Sequence, residues 1–144
     1  MSVEIEASPE KVFDFVTSEK INDLYKGFVE GKWTSEGPIG LGSTAHYVGT
    51  HRSNKVEEWN AEVTEFTKNK SMTMFLKGAN KHSNDQTNYY VFEPMTKGTK
   101  LTISMELKLP YSILGKLIYA LVAKRMIQRE SAKMAENLKK ALEA

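Results

Sequence analysis

The stretch Gly98-Thr-Lys-Leu-Thr-Ile-Ser-Met-Glu-Leu-Lys-Leu-Pro110 decides the fold class. Within it Leu101, Ile103, Met105 and Leu107 alternate with Thr102, Ser104, Glu106 and Lys108. A period of two gives a strand one apolar face and one wet face. Pro110 ends the sheet pattern, because it has no N–H to offer a ladder. Behind it the period lengthens: Leu114, Leu117, Ile118 and Leu121, then Ala132, Ala135, Leu138 and Leu142, recur at helical spacing through Tyr111 to Ala144. A sheet with one apolar face must cover that face, and a terminal helix of about thirty residues, roughly 45 Å long, is the element with the length to do it. Such a helix lies across a curved sheet and leaves space at one end.

Upstream, the same alternation recurs. Met72, Met74 and Leu76 repeat it, and Trp59, Ala61 and Val63 do so one strand earlier. Strands are predicted at Phe28–Ser35, Ser43–Thr50, Val56–Phe66, Met72–Lys77, Thr87–Glu93 and Thr99–Leu109. Turn signals separate them: Glu36-Gly37-Pro38, Gly40-Leu41-Gly42, Lys68-Asn69-Lys70 and Lys97-Gly98. Ahead of this sheet, Val3 and Ile5 alternate with Glu4 and Glu6 as a short first strand. Ser8-Pro9-Glu10 then starts a helix with an N-cap hydroxyl, a proline at its first position and an acid in its first turn. Val12, Phe13, Phe15 and Val16 form its buried side, and a second short helical piece at Glu19–Tyr25 ends at Gly27.

Composition bounds the chemistry. The 144 residues, 40% hydrophobic and 26% charged, predict one domain spanning 1–144. A chain this long buries roughly 68–70% of its unfolded surface, enough for a core without disulfides or a structural metal. The absence of cysteine excludes thiol catalysis, cysteine-bound zinc, iron–sulfur clusters and disulfides. Twenty Lys+Arg against eighteen Asp+Glu is near balance, so charge does not point to nucleic acid. Met1 to Ala7 resembles no secretory leader, and the longest apolar run, Leu117 to Ala123, is far short of the roughly 20 residues a membrane span needs. The expectation is a cytoplasmic protein, monomer or homodimer, needing no cofactor.

With this order of elements, several segments together resemble the START-like helix-grip superfamily, in its polyketide cyclase/dehydrase branch. They are Val3-Glu-Ile-Glu-Ala-Ser-Pro-Glu-Lys-Val-Phe13, Gly37-Pro-Ile-Gly-Leu-Gly-Ser43, Trp59-Asn-Ala-Glu-Val-Thr-Glu-Phe66, Tyr90-Val-Phe-Glu-Pro94, Gly98-Thr-Lys-Leu-Thr102 and Asn137-Leu-Lys-Lys-Ala-Leu-Glu143. The resemblance implies an α+β fold: a seven-stranded curved antiparallel sheet wrapped around a long C-terminal helix, two short helices after the first strand, and an apolar cavity in between. It also implies that the Gly40-Leu-Gly42 loop overhangs the cavity entrance. Two features depart from the pattern: the first strand begins almost at Met1, and Tyr25 stands where a tryptophan is expected.

In such an architecture the inward residues are both core and pocket. The candidate ligand-binding set is Trp33, Tyr47, Trp59, Met72, Met74, Asn88, Tyr90, Phe92 and Met105 from the sheet, with Leu114, Leu117, Ile118 and Leu121 from the helix. Many of these also serve as plain core. Tyr47, Tyr90 and Asn88 add polar groups to an apolar wall, which suits a small amphipathic ligand, and methionines let the wall adapt. For acid–base catalysis the candidates are Tyr47, Tyr90 and Glu65, the last following Trp59, Ala61 and Val63 on their phase unless a bulge turns it to water. His46, His51 and His82 lack metal-ligand spacing, and the strand phase sends His46 outward. Two functions follow as expectations. One is a carrier or sensor of a lipid, isoprenoid, aromatic or polyketide-like molecule; the alternative is a cyclase/dehydrase/aromatase-type enzyme. A weak membrane-surface contact through Lys116, Lys124, Arg125, Arg129, Lys133, Lys139 and Lys140 is a third, secondary expectation.

Overall fold

The structure is a computed structural model, and it describes residues 1–25, 29–49, 56–107 and 132–143. Its elements run β1 (Ser2–Ile5), α1 (Pro9–Val16), a 3₁₀ segment (Glu19–Tyr25), β2 (Val29–Trp33), β3 (Thr44–Gly49), β4 (Glu57–Thr67), β5 (Ser71–Gly78), β6 (Gln86–Met95) and β7 (Gly98–Leu107). A terminal helix, α2, covers 132–143. The seven strands form one antiparallel sheet in the order β1-β7-β6-β5-β4-β3-β2. Each strand from β2 to β7 pairs with the next, and β1 crosses to the far edge beside β7. This is the α+β helix-grip arrangement that the sequence implies.

Local chemistry accounts for the helix starts. The Ser8 hydroxyl accepts from the Lys11 N–H, and Pro9 opens α1, where its missing N–H costs no helix bond. β1 is short but fully paired: its register runs from Ser2 opposite Thr102 to Ile5 opposite Thr99, and the Met1 amino group donates to the Ile103 carbonyl at 2.8 Å.

Two apolar clusters lie on the inner face. One gathers Val3, Ile5, Val12, Phe13, Val16, Phe92 and Leu101 around Leu138 and Leu142 of α2. Phe13 meets Phe92 edge-to-face at 5.3 Å and Phe66 at 5.7 Å. The other gathers Ala45, Trp59, Ala61, Val63, Met72, Met74 and Leu76 from β3, β4 and β5. Phe66 and Tyr90 touch both clusters and join them. Lys11 Nζ donates to the Leu142 carbonyl, and the Glu6 N–H to Glu143 Oε1, which fastens the end of α2 beside β1 and α1.

The alternation of β4 breaks once. Val63 pairs with Met74, but the next pair is Glu65 with Thr73, so β4 carries one extra residue there. Such a bulge reverses the facing of every residue beyond it. Phe66, not Glu65, therefore returns to the inner face opposite Met72.

Candidate functional site

A cleft opens where the inner face of the central strands meets the end of α1 and the 3₁₀ segment. Val16, Thr17, Ser18, Glu19, Ile21 and Asn22 form one wall; Gly31, Lys32, Trp33, Ala45, Tyr47, Met72, Met74 and Tyr90 form the other. Its free room is about 30 Å³, enough for about two water molecules.

Three interactions fix this geometry. The Trp33 indole N–H donates to the Thr17 carbonyl at 2.8 Å and ties β2 to the end of α1. Asn22 lies along the outer edge of β2, donating through Nδ2 to the Gly31 carbonyl and accepting the Gly31 N–H on Oδ1. A single amide thus satisfies both edge groups of Gly31 as a further strand would. On the other side of Gly31 lies the ring of its cross-strand partner Tyr47, in the space a Cβ would need.

Placed this way against Gly31, the Tyr47 side chain carries its hydroxyl to 3.9 Å from Met74 Sδ, as a weak donor to sulfur. Burial pushes the Tyr47 hydroxyl well above the ordinary tyrosine range, and the nearby Tyr90 adds to this. Tyr90 is raised too, again by burial, with the Asn88 amide beside it acting in the opposite sense. Both tyrosines are therefore neutral donors at physiological pH. Asn88 is the direct cross-strand partner of Met74, and its buried Oδ1 has no hydrogen-bond partner.

A family model described as polyketide cyclase/dehydrase and lipid transport matches residues 1–143. The chain belongs to this family. Solved structures share its fold: TTHA0849 from Thermus thermophilus has a TM-score of 0.74 at 19% identity, covering 99% of this chain and 94% of its own. Protein Ms6760 from Mycobacterium smegmatis has a TM-score of 0.68 at 15% identity, covering 98% and 87%. A search of the curated proteins finds no sequence match.

As a member of the polyketide cyclase/dehydrase and lipid transport family, the chain has a fold suited to hydrophobic ligands. Of the residues singled out from its sequence, Trp33, Tyr47, Met72, Met74 and Tyr90 meet in the cleft, while Asn88, the cross-strand partner of Met74, is not among its lining residues. Three others lie elsewhere. Trp59 is buried with its indole N–H donating to the Asn84 carbonyl, under the connection between β5 and β6. Phe92 packs against Phe13 and Leu101 in the α1 core, because α1 occupies that end of β6. Met105 keeps the inward phase opposite Asn88 but is 48% exposed, since β7 lies farther from the 3₁₀ wall than β6 does. Glu65 is turned out by the bulge; it is exposed and accepts from the Thr73 hydroxyl, so it faces away from the cleft. Leu114, Leu117, Ile118 and Leu121 lie outside the described residues.

His46 faces outward, paired with Asn60 Oδ1 at 2.9 Å and 3.7 Å from Glu58. His82 sits in the β5–β6 connection, its N–H donating to Asn80 Oδ1, and His51 lies outside the described residues. Among the described residues, no helix is long and apolar enough to cross a membrane. The α1 and 3₁₀ side of the cleft was missed from sequence. Gly31, a glycine inside an alternating strand, marks a close approach, but that of the Tyr47 ring and not of this wall.

Proposed function

We propose that the protein binds a small hydrophobic or amphipathic molecule in this cleft, as a cytoplasmic carrier or sensor built on a single domain over 1–144. The observation that carries the reading is that Tyr47 and Tyr90 bring buried hydroxyls to Met72 and Met74 in the sheet wall of the cleft. With about 30 Å³ free, a ligand enters by displacing side chains, and Met72 and Met74 are the flexible ones. Its class is that of a lipid, isoprenoid, aromatic or polyketide-like molecule.

The enzymatic alternative has less support. A cyclase or dehydrase needs a base, and the outward-facing Glu65 does not supply one. Tyr47 and Tyr90 remain, but as neutral hydroxyls they donate hydrogen bonds rather than take protons. Native mass spectrometry of the purified protein, with thermal shifts against lipids and aromatics, tests the carrier reading. A bound mass or a raised melting midpoint supports it; a melting midpoint unmoved by every compound, with no bound mass, rejects it.

A further inference from the structure

Given that the cleft binds a ligand, the ligand needs a way in. The free room is about 30 Å³, whereas an apolar cavity of about 150 Å³ is what a molecule as small as benzene takes. One wall must therefore move. The sheet wall is held by the ladders that join β2 to β6. The α1 part of the facing wall is anchored by Val12, Phe13 and Val16, all buried in the core. The 3₁₀ segment differs: among its described side chains none is fully buried, and Ile21 and Leu24 are only partly covered. Elements with few buried contacts are the ones that open locally.

Among the described residues, the hydrogen bonds that tie this segment to the sheet are the two between the Asn22 amide and Gly31. Because β2 is an edge strand, water can take over both Gly31 groups when Asn22 leaves them. Just before the segment the chain is fixed. The Trp33 indole holds the Thr17 carbonyl at 2.8 Å, and Thr17 Oγ1 and Ser18 Oγ donate to the Phe13 and Phe15 carbonyls.

We propose that the 3₁₀ segment is the gate of the cleft, swinging off the edge of β2 about Thr17 and Ser18, with Asn22 as its clasp. The clasp opens to admit an apolar ligand and closes again behind it on the same two Gly31 groups. Glu19 and Lys32, exposed on opposite walls, flank the opening. Uptake is slowed by the fraction of time the gate stands open. Loss of the clasp raises entry and exit together, while affinity, set by the cleft behind it, changes less than either rate.

Stopped-flow uptake of the neutral fluorophore N-phenyl-1-naphthylamine tests the gate, read as energy transfer from tryptophan, since Trp33 lines the cleft. Asn22→Ala should raise the association and dissociation rates each about fivefold or more, the factor carried by one or two lost hydrogen bonds. The chain has no cysteine, so Glu19→Cys with Lys32→Cys can be bridged across the rim by a bifunctional thiol reagent that contains a cleavable disulfide. The bridge should slow uptake severalfold, and cleaving it should restore the rate in the same folded molecules. Rates unchanged in Asn22→Ala, a rise in one rate alone, or uptake indifferent to the bridge would overturn the gate and leave the carrier reading standing. No uptake of the probe by the wild type or by Asn22→Ala would count against the cleft as an apolar site, and the gate falls with it.

Discussion

The ring of Tyr47 occupies the space beside Gly31 that any side chain at that position would need. This pairing sets where the Tyr47 hydroxyl ends, over Met74 rather than above its own strand. Gly31→Ala should therefore displace the ring and cost about 1–3 kcal/mol, as overpacking does. Urea unfolding measures the loss, and in a Tyr47→Ala background the same substitution should cost little. Equal costs in both backgrounds would show that the glycine serves something other than the ring.

Alkaline stability should report the two cleft tyrosines. Burial raises Tyr47 and Tyr90 above the ordinary tyrosine value of about 10. A group whose folded pKa is raised contributes stability that is complete below its unfolded pKa and is lost as pH climbs toward the folded one. Unfolding free energy should thus decline above about pH 10. Tyr47→Phe and Tyr90→Phe should each flatten that decline in urea melts across the alkaline range. A decline of unchanged slope in both variants counts against their burial as the cause.

The sheet was legible because Leu101, Ile103 and their neighbours alternate without interruption, and the alternation of Met72, Met74 and Leu76 gave the facing of β5. The docking of the chain end was legible in Leu138 and Leu142, four residues apart and both buried. The cleft was only half legible. Periodicity gives the face of a residue but not what packs over it, so Phe92 and Met105 share an inward phase while one is buried against Phe13 and the other is 48% exposed. The bulge between Val63 and Glu65 leaves a trace, two polar residues in succession before Phe66, but the same pattern fits a strand end, so alternation by itself does not fix the facing of Glu65. The α1 and 3₁₀ wall lies near β2 in the chain but faces Met72, Met74 and Tyr90 far along it, a contact no local pattern encodes.

Glu65 tests the consequence of that bulge. Its carboxylate is exposed and accepts from the Thr73 hydroxyl at 3.3 Å. Glu65→Gln should change stability by no more than about 0.5 kcal/mol, as for surface substitutions. Binding of any apolar compound in the cleft should be unaffected, as measured by calorimetry on both proteins. A large loss of binding, or of any turnover later found, would place the carboxylate in the site and contradict the register.

Asn22 provides the sharpest test of how the cleft is held open to one side. Its amide pairs with both edge groups of Gly31, at 2.8 and 3.0 Å, and so fixes the 3₁₀ wall against β2. Asn22→Ala leaves those groups to water or unpaired, at a cost of about 1–3 kcal/mol. Asn22→Asp keeps the acceptor for the Gly31 N–H but sets a carboxylate against the Gly31 carbonyl, so it should recover only part of the loss. The strand edge should also open: amide exchange at Gly31 should speed in Asn22→Ala while exchange at Leu101 in the opposite half of the sheet stays slow. Uniform acceleration across the sheet would mean that the substitution lowers global stability instead of releasing this wall.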